Sequence, residues 1–175
     1  MNIDGIMRAA PVIPVLVLEE EMDWAALAET FVAAGLPVLE VTLRTPLALE
    51  AIRQMERVDG AVVGAGTVLN EVQLAQAIDA GSRFIVSPGL TNPLALAVRD
   101  TAIPFLPGIA TAADIMRGID LGLDRFKFFP AVMRRSKRTE SLCCRLPRKR
   151  SRRNLNKRIG VCTGASSGAQ PWRPG

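Results

Sequence analysis

At 175 residues and nearly half apolar, the chain can bury one real core and is too hydrophobic to be disordered throughout. Its net charge of +5 hides two unlike parts. Residues 1–131 hold 9 Lys+Arg against 16 Asp+Glu, a net of −7, while residues 132–175 hold 13 against 1, a net of +12. All three cysteines lie in the second part and histidine is absent throughout, so the first 131 residues exclude disulfide frameworks, thiolate nucleophiles, zinc clusters and histidine bases.

In chain order, the first apolar run is "AAPVIPVLVL". It is too short to span a bilayer, is broken by two prolines, and has no flanks of a secretory signal. It reads as a buried strand over residues 11–17, and a cytoplasmic location is the expectation. Trp24, Leu27, Ala28, Phe31 and Val32 then repeat with the stripe of an amphipathic helix, which Gly35 ends. Further strands are expected over residues 37–44, 61–68, 83–89, 103–109 and 125–131, one every 20 to 26 residues. Asn70 with Gln73, and Thr111 with Asp114, have the spacing of capping boxes at the starts of helices. Six βα-like units in series argue for a parallel sheet. Their even spacing, without a dinucleotide glycine fingerprint, favours an incomplete (β/α)8 TIM barrel of the α/β class over an open doubly wound sheet. Two regions follow: a barrel over residues 1–131, and an irregular basic tail over residues 132–175.

Strand alternation sorts the polar residues. In "VLEVTLR", Leu39, Val41 and Leu43 share one face, and Glu40, Thr42 and Arg44 the other. The outer face of a barrel strand packs on helices and must be apolar, so the polar face points inward. In "RFKFFPA", Lys127 and Phe129 face opposite to Phe126 and Phe128. Lys127 is the first lysine of the chain, placed among phenylalanines. A carboxylate and an amine inside a barrel are expensive unless paired or used, and barrel enzymes place catalytic residues at the C-terminal ends of strands. What remains is amine chemistry. An amine taken out of water is more readily neutral, and can attack a carbonyl to form a Schiff base whose iminium draws electrons from a neighbouring carbon–carbon bond. Glu40 is the inward acid placed to move protons for it. Each residue alone has a plainer reading: a solvated lysine, an ion pair of Glu40 with Arg44, a tight turn at "GAGT". A carboxylate-only metal site has no cluster to suggest it, and no cofactor is expected.

Together "LEVTLRT", "VGAGTVLN", "SPGLT", "PFLPGIAT" and "FKFFPA", in order and at natural spacing from about Pro11 to Ala131, resemble the 2-keto-3-deoxy-6-phosphogluconate aldolase family, which includes 4-hydroxy-2-oxoglutarate aldolases. The resemblance implies a metal-free class I aldolase on a (β/α)8 barrel, usually a homotrimer, acting on a small-molecule keto acid. It would cleave 2-keto-3-deoxy-6-phosphogluconate to pyruvate and glyceraldehyde 3-phosphate, or 4-hydroxy-2-oxoglutarate to pyruvate and glyoxylate. It further implies Lys127 as the Schiff-base lysine and Glu40 as the proton-transferring base. Arg44 and Thr67 would hold the pyruvyl carboxylate, and Pro88 would line the pocket.

The family pattern continues past "FKFFPA" for two more strands that supply most of a phosphate site. Here 44 residues rich in Arg and Ser follow instead. The leading reading is a frameshift after Ala131. The alternatives are a genuine basic arm on a non-catalytic barrel, binding nucleic acid only non-specifically through "RLPRKRSRRNLNKR", and a membrane segment, which lacks the apolar face it needs. Loss of two strands would leave strands one and six with unpaired edges, a marginal or aggregation-prone fold, and weak or no activity on a phosphorylated substrate.

Overall fold

The computed structural model describes residues 1–131 and, as a strand, Leu142–Arg145. The rest of the basic tail, with the frameshift and nucleic-acid readings that fall on it, lies outside the described residues. Six strands run parallel in chain order: β1 (Val15–Leu16), β2 (Val38–Thr42), β3 (Val62–Gly66), β4 (Ile85–Ser87), β5 (Phe105–Ile109) and β6 (Arg125–Phe128). A helix joins each to the next: α2 (Trp24–Ala33), α3 (Ala48–Met55), α4 (Glu71–Asp79), α5 (Asn92–Thr101) and α6 (Ala112–Asp120). This is the series of parallel βα units expected, an α/β sheet of barrel type. Among the described residues no helix is long and apolar enough to cross a membrane.

The first strand is much shorter than expected. Pro11 and Pro14 have no N–H to offer a ladder, so pairing begins only at Val15, opposite Glu40. The far edge also differs. β6 is not left bare, because β7 (Leu142–Arg145) pairs with it antiparallel, Lys127 standing opposite Cys143. An edge strand offers a row of unsatisfied N–H and C=O groups, and a neighbouring stretch of chain relieves it. Among the described residues the sheet does not close, and β1 is an edge. Val15 and Val17 are each 44% exposed as a result, although Val15 is registered beside the buried Glu40.

Two cores flank the sheet. On the outer face Leu39, Val41, Val63, Ile85 and Phe126 pack against Ala28, Ile52, Met55, Leu74 and Leu94 of the helices. On the inner face, toward the N-terminal ends of the strands, Val38, Phe84, Val86 and Leu106 form a smaller cluster with Ile6. Ile6 belongs to α1 (Ile3–Ala9), a helix not foreseen from the sequence, where Gly5 interrupts a seven-residue segment. Asn2 caps it by accepting from the Gly5 N–H at 2.9 Å. Its Ile3, Ile6 and Met7 plug the inner core from below. Asp4 accepts from the Arg125 guanidinium at 3.2 Å, tying the plug to the start of β6.

Local signals behave largely as read. Gly35, at φ 78°, lets the chain leave α2. Asn70 accepts from the Gln73 N–H at 2.9 Å, but the Gln73 side chain returns to the Leu69 N–H, so the box at α4 is only half reciprocal. The Thr111–Asp114 box at α6 is complete.

Two predictions follow from packing and capping. A Cβ on Gly118, within α6, would run into the Phe126 ring. Helix propensity alone would make Gly118→Ala stabilising by about 1 kcal/mol, but the strand behind it cannot recede, so overpacking should win and cost about 1–3 kcal/mol in urea unfolding. The Asp114 carboxyl is held below its ordinary value of 3.8, chiefly by the Ala110 N–H and then by the Thr111 hydroxyl. A carboxyl lowered by folding contributes fully above its ordinary value, and the contribution is lost as pH falls through the folded one. Asp114→Ala should therefore cost about 1 kcal/mol at neutral pH, and the difference from wild type should shrink as unfolding is repeated below pH 3.8.

Candidate active site

The interior of the sheet is apolar at its lower end and polar above. Lys127, third residue of β6, alternates with Phe126, which fills the outer core, and so points inward with 8% exposure. Glu40, third residue of β2, lies between the outward Leu39 and Val41 and is 4% exposed. Three strands separate β2 from β6 in the sheet. Their side chains nevertheless meet, because the sheet curls: Lys127 Nζ donates to both carboxylate oxygens of Glu40, at 2.9 and 3.0 Å. The pair bridges 87 positions of sequence. Phe129, two residues on, presents its ring centre 5.6 Å from the ammonium, a distance at which an aromatic face attracts a cation.

Glycines set the spacing around the pair. Gly108 of β5 is registered beside Lys127, but the space that its missing side chain leaves is taken by the backbone of Ser87 and Pro88 at the end of β4. Gly66, at the end of β3, leaves open the space that the Glu40 side chain occupies. Glycine 64 does the same for Phe84. "GAGT" is therefore not a tight turn. Its glycines lie within a regular strand, and only Thr67, just past it, adopts the left-handed conformation, at φ 59°. For a β-branched residue that is a strained position, held where β3 ends.

Arg44, Thr67 and Pro88 lie one or two residues beyond the C-terminal ends of β2, β3 and β4, along one end of the sheet. Arg44 is exposed in a turn, its N–H donating to the Thr42 carbonyl at 2.8 Å. Thr67 and Pro88 are half-buried. Among the described residues, the hydrogen bonds joining any two of the five expected site residues are those of Lys127 with Glu40. Glu40 thus pairs across the interior, and not with its strand neighbour Arg44.

Thr42, inward by alternation, has a structural part beside the pair. It is buried on the inner face two residues above Glu40, and its hydroxyl donates to the Leu16 carbonyl at 2.9 Å, fastening β2 to the short β1. Thr45 repeats the device with the Leu18 carbonyl at 2.7 Å. The inward alternation of Thr42 was legible, whereas its backbone partner on another strand was not. A cleft of about 340 Å³ opens at the opposite end of the sheet, beside Ile103, Asp124 and Arg125. Its buried arginine is already paired with Asp4 and Asp124, so its volume does not mark the chemistry.

Fold and site together define a parallel α/β protein of barrel type with an amine–carboxylate pair in its interior. The sequence model of one family, "Aldolase: KDPG and KHG aldolase", matches residues 3–136. The 2-dehydro-3-deoxy-phosphogluconate aldolase of Zymomonas mobilis is 62% identical over 130 residues, covering 74% of this chain and 62% of the relative. The KHG/KDPG aldolase of Escherichia coli K12 is 49% identical over 129 residues, 73% of this chain and 61% of its own. Among solved structures, a Zymomonas mobilis 2-keto-3-deoxy-6-phospho-gluconate aldolase superposes with a TM-score of 0.73 at 61% identity, over 75% of this chain and 64% of that one. The KDPG aldolase of Legionella pneumophila, solved with pyruvate captured as a covalent carbinolamine, superposes at 0.71 and 42% identity, over 75% of this chain and 64% of that one. The chain belongs to the KDPG and KHG aldolase family. It spans a little over three-fifths of the length of the curated relatives it matches.

Removing one member of the pair should be worse than removing both. Lys127→Met leaves a buried carboxylate without its partner and should cost about 3 kcal/mol in urea unfolding, whereas Lys127→Met combined with Glu40→Leu should recover most of that loss. A double variant no more stable than Lys127→Met would overturn that expectation.

Proposed function

We propose that the chain carries the chemistry of a class I aldolase, cleaving 2-keto-3-deoxy-6-phosphogluconate to pyruvate and glyceraldehyde 3-phosphate and, with the same residues, 4-hydroxy-2-oxoglutarate to pyruvate and glyoxylate. The observation that carries this reading is the buried contact between Lys127 Nζ and the Glu40 carboxylate. Lys127 passes a proton to Glu40, the freed lone pair of Nζ adds to the keto carbon, and Glu40 returns the proton to the carbinolamine hydroxyl as it leaves as water, so that a protonated imine results. The iminium accepts the electron pair of the bond between the third and fourth carbons as Glu40 takes the hydroxyl proton of the fourth. The aldehyde departs, the enamine regains a proton at the third carbon, and water releases pyruvate and the free amine.

The remaining site residues have supporting roles in this proposal. Arg44 binds the substrate carboxylate, two N–H donors matching two oxygens, and its exposure at the end of the sheet suits a group that meets substrate arriving from water. Thr67 offers its hydroxyl to the same carboxylate, which would account for its strained backbone. Pro88 shapes the wall opposite. The natural setting in this reading is the cytoplasm, and the assembly a homotrimer of the kind the resemblance implies. Activity on the phosphorylated substrate is expected to be weak.

Reductive trapping tests the proposal. Folded protein incubated with pyruvate and borohydride should gain a pyruvyl adduct mapping to Lys127, absent in Lys127→Ala, and Glu40→Gln should slow its formation by about a hundredfold. Folded wild type that gains no adduct would overturn the reading.

A further inference from the structure

The place of Gly66 beside Glu40 is not explained by backbone freedom. Gly66 lies within β3, registered opposite Thr42, and is not among the residues with positive φ. Any L residue could adopt its conformation. The space next to it, however, is filled. A Cβ there would stand 2.7 Å from Cγ and 2.9 Å from Cδ of Glu40, and closer still to Oε1. Ordinary contact between carbon atoms begins near 3.5 Å.

What would give way is also determined. The Gly66 carbonyl accepts from the Leu43 N–H at 2.8 Å, the Ala65 N–H donates to the Phe84 carbonyl at 3.0 Å, and the Val68 N–H donates to the Val86 carbonyl at 3.2 Å. Strand β3 is thus stitched to β2 on one side and to β4 on the other. Retreat of that backbone would break several ladder bonds, whereas Glu40 can turn about three side-chain bonds. An added methyl group should therefore move the carboxylate and leave the strand in place.

We infer that Gly66 is a positioning residue: the absence of a side chain at position 66 holds the Glu40 carboxylate against Lys127 Nζ. The inference rests on the aldolase reading for its catalytic consequence, but its geometry can be tested apart from it. Gly66 touches no substrate in this scheme. It acts only through Glu40.

The test compares wild type, Gly66→Ala, Glu40→Gln and the double variant in the rate of pyruvyl adduct formation at Lys127 under borohydride, across a range of pH. A misplacement of about an ångström at a reacting group can cost about a hundredfold. Gly66→Ala should slow trapping by at least about tenfold and flatten the pH profile as Glu40→Gln does, and the double variant should be no slower than the slower single. Losses that multiply in the double variant would overturn the inference, because residue 66 would then act by another route. Thermal melts keep the question decidable if Gly66→Ala unfolds or if wild type gains no adduct. Gly66→Ala should lower the melting temperature in the wild-type background and leave it unchanged or raise it in Glu40→Ala, where the obstructing carboxylate is gone. A loss of equal size in both backgrounds would overturn the inference whatever the outcome of trapping.

Discussion

The contact between Lys127 and Glu40 constrains everything around it. Two charges taken out of water cost several kcal/mol each, and only close pairing with good hydrogen bonds offsets that cost. Lys127 meets both oxygens of Glu40, so the geometry is the favourable one. It requires β2 and β6, with three strands between them in the sheet, to face each other across an interior that two side chains can bridge. A flat sheet would separate strands that far apart by nearly 20 Å, at about 4.8 Å per step. The curl of the sheet and the burial of the pair are therefore one requirement.

That curl is imposed by apolar packing and not by the charges, since a buried ion pair rarely stabilises more than an apolar pair of the same size. The outer core, with five helices against the convex face, supplies the burial. The inner cluster of Val38, Phe84, Val86 and Leu106, plugged by Ile6, sets the floor beneath the pair. The arrangement is lopsided. The β6 side has a further strand beside it, while β1 is a two-residue edge at which Val15 and the adjoining Val17 are half open to water. Thr42 and Thr45 reach across to the Leu16 and Leu18 carbonyls, and these bonds hold the segment at the open side of the sheet.

The match to the KDPG and KHG aldolases covers this same assembly, from the plug helix through the lysine strand. The chain accounts for 62% of the Zymomonas mobilis relative, and residues 3–136, which the family model matches, include both Glu40 and Lys127. Chemistry at the keto carbon and recognition of the far end of a substrate are separable in such a site. The first needs an amine and a carboxylate shielded from water, and Lys127 and Glu40 are both buried. The second depends on groups some distance away.

Much of this was readable from the residues alone. Period-two alternation turned Lys127 and Glu40 inward, because successive side chains of a strand must point to opposite faces and the outer face had to be apolar. Five strands appeared within a few residues of their expected bounds, and the full capping box at Thr111 formed as spaced. The departures share a cause. Strand β1 shrank because its prolines cannot donate, α1 formed because a barrel floor needed covering, and β7 took up an edge: each depends on what lies beside the segment and not on the segment itself. The sequence by itself determined which residues face the interior, since that follows from local geometry. Only the tertiary structure decided that Glu40 meets Lys127 and not Arg44, and that Gly66 makes room for it, since those contacts depend on the curvature of the whole sheet.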